Sequence, residues 1–119
     1  MPALDKSMDT PNHYRDLLEQ ILKENEKTDL SDNNDAETRV IFDRNTDNYQ
    51  LMRIGWQGTK RIYHCFIHAS IRNQKIWIEQ DYTEPGLAVL LLEQGVPKQD
   101  IVLAFQAPFK RAYTEFAVG

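Results

Sequence analysis

Two periods of hydrophobicity divide this chain. Tyr14, Leu17, Leu18, Ile21 and Leu22 recur at i, i+3, i+4, i+7 and i+8, which is one stripe along an amphipathic helix. Arg15, Asp16, Glu19, Lys23 and Glu24 fill the solvent side. Thr10-Pro11 reads as the start, with Thr10 as N-cap and Pro11 at the first helical position, where its missing N–H costs nothing. Residues 1–9 read as a disordered leader before a single domain over 10–119. The polar stretch Asn25 to Asp35 reads as a linker.

From Thr38 the period changes to two. Thr38–Asp43, Tyr49–Gln57, Lys60–Ile71 and Lys75–Tyr82 read as strands separated by short polar loops, and loops that short join antiparallel neighbours. A two-residue turn at Asn73-Gln74 sets Ile71 opposite Ile76 and Ala69 opposite Ile78. A second turn at Gly58-Thr59 sets Ile54 opposite Tyr63 and Met52 opposite Cys65. Both registers put Met52, Ile54, Tyr63, Cys65, Ile67, Ala69, Ile71, Ile76 and Ile78 on one apolar face. The other face then carries Leu51, Arg53, His64, Phe66, His68, Trp77 and Glu79, a mixed surface with large aromatics that calls for a cover.

Pro85–Gln94 reads as a second helix, stopped by Gly95 with Pro97 beyond. Its centre, Leu87 to Leu92, is apolar around the whole circumference, which implies burial on more than one side. Ile101–Phe105 reads as a short strand, and the tail with Phe109, Tyr113, Phe116 and Val118 is apolar enough to be docked. The expected fold is α+β, a four- to five-stranded antiparallel meander sheet packed with an N-terminal helix and a second, apolar helix.

Composition narrows the function classes. The 119 residues carry 14 basic and 18 acidic side chains, and that balance does not advertise a duplex-DNA binder. Residues 1–37 hold 4 basic against 10 acidic side chains, and residues 38–119 hold 10 against 8. Cys65 is the single cysteine, which excludes an internal disulfide and a cysteine-based zinc site. No signal peptide or membrane-length apolar run is present, so the expected address is cytoplasmic.

Candidate chemistry is sparse. His64 and His68, on one face of a strand, would stand about 13 Å apart, too far to hold one ion, and His68 would pair with Glu79 across the strands. Glu79, Asp81 and Glu84 form an acidic cluster that could coordinate a divalent cation in a phosphodiesterase. The favoured explanation is simpler, since acids entering a helix are stabilised by its N-terminal dipole. Arg53, Lys60, Arg61, Arg72, Lys75, Lys110 and Arg111 could face phosphates or an acidic partner. No phosphate loop, dinucleotide fingerprint or nucleophile elbow occurs, and no cofactor is expected. The apolar helix, the aromatic sheet face and the apolar tail exceed what one small core needs, which points to a protein interface involving Phe66, Trp77, Phe109, Arg111, Tyr113 and Phe116.

Several segments resemble the XisI-like family. They are Asn12-His13-Tyr14-Arg15, Tyr49-Gln50, Gly55-Trp56, the run His68 to Ile78, Thr83-Glu84, the run Gly95 to Leu103, Pro108, Arg111 and the closing Thr114 to Val118. The likeness extends from Asn12 to Gly119. Relatives often have Asn-Gly where this chain has Asn73-Gln74. The resemblance implies a non-catalytic accessory factor for excision of a DNA element, working beside a recombinase and paired with an XisH-like protein, with a homodimer as the expected self-assembly. It brings no agreed catalytic or ligand-binding residues.

Overall fold

The helical stripe and the alternating strands fold against each other around one core. The computed structural model describes residues 6–28 and 36–119. Its elements are α1 (Lys6–Thr28), β1 (Glu37–Asp43), β2 (Asn48–Gln57), β3 (Lys60–Arg72), β4 (Lys75–Asp81), α2 (Leu87–Glu93), β5 (Ile101–Leu103) and α3 (Pro108–Arg111). Residues 1–5, most of the expected leader, lie outside the described residues.

Helix α1 begins four residues before Thr10, so Pro11 stands inside it and not at its first position. Proline's fixed φ is helical, but inside the helix it forfeits a ladder bond and crowds the carbonyl four residues back. The helix also runs through the first part of the expected linker, to Thr28; residues 29–35 lie outside the described residues.

Strands β1 to β4 form the expected antiparallel meander, in the order β1-β2-β3-β4-β5. The four expected cross-strand pairs are all present. The fifth strand departs from expectation, because β5 runs parallel to β4 and makes the sheet mixed. The connection from Tyr82 to Asp100 holds α2, and a helical crossover of that length returns the chain in the same direction. The β3–β4 turn is tight, with φ of 53° at Asn73 and 63° at Gln74, a left-handed pair suited to hairpin twist.

Two bulges overturn the expected faces. Leu51 lies opposite Ile67 and Met52 opposite Cys65, which leaves Phe66 without a partner. Likewise Ala69 lies opposite Ile78 and His68 opposite Gln80, which leaves Glu79 over. Each extra residue reverses the alternation beyond it. Ile67, Ala69, Ile71, Ile76 and Ile78 stay on the core face with Tyr49 and Leu51. Met52, Ile54, Tyr63 and Cys65 move to the opposite, open face, while Leu51, Arg53 and His64 move to the side that the helices cover. His64 and His68 therefore sit on opposite faces.

Helices α1 and α2 both lie on the core face. Leu18, Leu22, Ile67, Ile76, Ile78, Leu87, Leu91 and Ile101 are fully buried there. Helix α2 starts two residues later than expected, after the cis Glu84–Pro85 peptide and Gly86 at φ 105°. Asp81 accepts the Leu87 N–H at 2.5 Å and so holds the α2 start to the end of β4. Gly95 then closes α2, with Gly95 N–H donating to the Leu92 carbonyl and Val96 N–H to that of Leu91, the Schellman ending that the Gly-Val-Pro sequence suggests. The two helices leave a groove between them, lined by Ile21 and Glu24 from α1 and Pro85, Leu90 and Glu93 from the α2 side. That α2 is buried on more than one side is only partly borne out. Ala88, Leu90 and Leu92 pack against the core, whereas Val89 is exposed.

Polar ties fix α1 over the sheet. Arg15 donates twice to Asp47, at 2.7 and 2.9 Å, and Tyr49 Oη donates to the same carboxylate at 2.9 Å. These donors, Arg15 first, hold the Asp47 carboxyl below the usual aspartate range. Arg44 reaches back to Glu19 and Asp16 at 2.8 Å each. Tyr14 Oη donates to Asp100, and burial with that carboxylate pushes the phenol's pKa up. Glu26 accepts the Val40 N–H at 3.2 Å, so the β1 edge is occupied there.

Candidate interaction surfaces

Among the described residues, no group of three or more His, Cys, Asp or Glu side chains is placed to hold a metal ion. The acidic trio is dispersed by its own partners. Glu79, displaced by the bulge, accepts from Ser70 Oγ at 2.9 Å and from Arg72 at 3.3 Å on the open face. Asp81 is taken up by Thr83 and Leu87. Glu84 lines the groove between the helices. His68 meets Asn48 at 2.8 Å, not Glu79. Cys65 is half-buried on the open face, and burial pushes its thiol's pKa up, which keeps it protonated and unreactive. No helix among the described residues is long and apolar enough to cross a membrane.

The six residues singled out as an interface separate into three kinds. Phe66 and Phe116 pack against the core. Trp77 and Arg111 build the C-terminal corner: Trp77 Nε1 donates to the Arg72 carbonyl at 3.0 Å, while the Arg72 and Arg111 guanidiniums lie 3.9 and 5.7 Å from its ring. Arg111 also donates to the Ala104 and Gln106 carbonyls at 3.1 Å each, which ties α3 to the end of β5. Only Phe109, 72% exposed, and Tyr113, 89% exposed, face solvent.

The apolar tail is docked through part of its length. Ala117 pairs in parallel with Val102 and its N–H donates to the Ile101 carbonyl at 2.9 Å. Lys98 and Glu115 form an ion pair beside it, and the lysine holds the Glu115 carboxyl below its usual range. Val102 and Ala117 are buried, and the tail extends the sheet edge beyond β5. Along residues 105–118, Phe105 and Val118 join Phe109 and Tyr113 as exposed apolar groups. The sequence reading missed Phe105 because it placed the residue within a strand.

A second surface lies at the far end of the β2–β3 hairpin. Ile54, Trp56, Arg61 and Tyr63 share the open face there, with Ile54 opposite Tyr63 and Trp56 opposite Arg61. Trp56 is 47% and Tyr63 65% exposed. Ile41 of β1, also exposed, lies on the same face. The period-two pattern could not show this surface, since the bulge at Phe66 creates it.

Comparison with known proteins agrees with the fold. No curated protein matches. The crystal structure of a XisI-like protein from Anabaena variabilis ATCC 29413 is 43% identical, aligns over 90% of this chain and 97% of its own, and superposes with a TM-score of 0.85. The crystal structure of the fdxN element excision controlling factor XisI from the same organism is 37% identical over 93% and 100% of the two chains, with a TM-score of 0.81. The model of the XisI protein family matches residues 8–118. The chain belongs to the XisI family.

Proposed function

We propose that this chain is a non-catalytic accessory factor controlling the excision of a DNA element, and that it acts by contact with another polypeptide. The role is supported by its likeness to an fdxN element excision controlling factor. Contact as the mode of action is supported chiefly by one observation: Phe105, Phe109, Tyr113 and Val118, four large apolar side chains exposed on the segment anchored along β5. Isolated exposed hydrophobic residues are ordinary, whereas a group of them marks an interaction site. Aromatic side chains beside an arginine are the usual anchors of protein interfaces.

The corner is also preorganised. Arg111 is held by two carbonyls and the Trp77 ring, and Ala117 by its bridge to Val102, so little ordering cost remains when a partner docks. The partner we assign is an XisH-like protein, with a second copy of this chain as the homodimeric alternative. The work belongs in the cytoplasm, where the free Cys65 thiol would stay reduced. Co-purification with the XisH-like protein, with mass measured by light scattering, tests the reading. The wild type should form a heteromer or a dimer, and Phe109→Ala/Tyr113→Ala should weaken it at least tenfold with an unchanged circular dichroism spectrum. A monomer that captures no XisH-like protein would remove the reading.

A further inference from the structure

The charges of this acidic chain are segregated. Residues 48–78, from the start of β2 into β4, contain Arg53, Lys60, Arg61, Arg72 and Lys75 and no Asp or Glu, whereas the remainder holds nine basic and eighteen acidic residues. The overall charge therefore conceals an acid-free stretch, within which Arg53 is buried and Arg72 pairs with Glu79 just beyond it. The outer end of the β2–β3 hairpin presents two exposed aromatic rings on a single sheet face.

Trp56 and Tyr63 are diagonal neighbours on adjacent strands, since Trp56 lies opposite Arg61 and Ile54 opposite Tyr63. Such diagonal pairs place their backbone atoms about 7–8 Å apart, near enough for both rings to meet one short single strand. The Arg61 guanidinium lies 5.3 Å from the Trp56 ring, and Lys60 is exposed at the hairpin end. Ile54 and Met52 continue the apolar floor toward β1. Glu37, the carboxylate bordering this floor, is already engaged by Arg39. The β1 edge is occupied by Glu26 at Val40, which disfavours recognition by strand addition and leaves the face itself as the contact surface.

We propose that the open face of the β2–β3 hairpin binds single-stranded DNA, with Trp56 and Tyr63 stacking on bases and Arg61 meeting a phosphate. Stacking platforms edged with cations bind single strands with little sequence preference, because every base has a π-face. Duplex DNA hides those faces inside its stack. The choice of DNA over RNA rests on the excision reading above; the stacking chemistry does not.

The test is fluorescence anisotropy of a labelled oligo-dT of about 12 nucleotides, titrated with the full chain at several salt concentrations. Binding should weaken with salt. Trp56→Ala and Tyr63→Ala should each lose about tenfold in affinity, and Tyr63→Phe should retain most of it. Arg61→Gln should reduce the slope of log K against log salt by about 0.7. The proposal is overturned by no binding at low salt, by affinities indifferent to the aromatic substitutions, or by equal competition from duplex DNA or poly-glutamate. It is also overturned by a dimer in light scattering that Trp56→Ala dissociates, since a second copy would then own the face. Equal binding of oligo-U would overturn the assignment to DNA. Intact oligo-dT binding by a chain whose deletion leaves excision of the DNA element unchanged would strike the proposed function alone.

Discussion

Strands β2 and β3 behave as two structures joined end to end. Near the β1–β2 turn, Tyr49, Leu51, Ile67 and Ala69 are buried under α1. Past the bulge the same strands turn Ile54, Trp56 and Tyr63 toward the open face, where both aromatic rings stay exposed. Large apolar residues alternate with polar ones in both halves. One unpartnered residue, Phe66, decides which half supplies core and which supplies surface, because a single insertion reverses every later side chain. Apolar content in a strand thus measures how much greasy surface a protein owns, not where that surface is spent.

The comparison can be broken first at the inner half. Leu18, fully buried against it, should cost about 3–4 kcal/mol when replaced by alanine, through lost transfer energy and the cavity left behind. Urea denaturation checks this; a loss under 1 kcal/mol would mean that α1 is not what closes the core.

An intermediate effect is expected at the turn joining α1 to the sheet. Asp47→Asn keeps the shape and the left-handed backbone at φ 55° but removes the charge that Arg15 and Tyr49 address. We expect about 1–2 kcal/mol of destabilisation at pH 7. The folded carboxyl titrates below its ordinary 3.8, so its contribution is complete above that pH and disappears as pH falls through the lowered folded value. The gap between wild type and variant should therefore close in acid. A pH-independent gap would assign the effect to geometry, not charge.

The smallest stability effect belongs to the outer half. Tyr63→Ala, on an exposed ring, should change stability by no more than about 0.5 kcal/mol. A loss above 1.5 kcal/mol would show that the outer face contributes to folding and would erase the distinction between the halves.

Much of the fold was legible in the residues. The spacing of Tyr14 to Leu22, the turn residues at 58–59 and 73–74, and the Gly95 stop all act locally, through backbone sterics and hydrogen bonds between near neighbours, and each produced the expected element. The candidate surfaces were less legible. Of the tail residues singled out as an interface, Phe109 and Tyr113 are exposed, yet Phe116 beside them turns inward and Arg111 is consumed by two carbonyls. Whether a tail residue is buried depends on what it meets after β5 crosses back to β4, and no local pattern encodes that meeting.

By itself the sequence determined the amphipathic stripe of the first helix, the four antiparallel strands, their register at both turns, the Gly95 stop and the acid-free stretch from residue 48 to 78, since each follows from nearest-neighbour chemistry or from counting. Tertiary structure alone decided that β5 runs parallel, that Glu79, Asp81 and Glu84 part company, and that Trp56 and Tyr63 share an open face. The physical reason is that a bulge or a crossover has only a slight local cost but a long-range consequence. It is selected by how the whole sheet packs beneath its helices, a sum over contacts that no window of sequence contains.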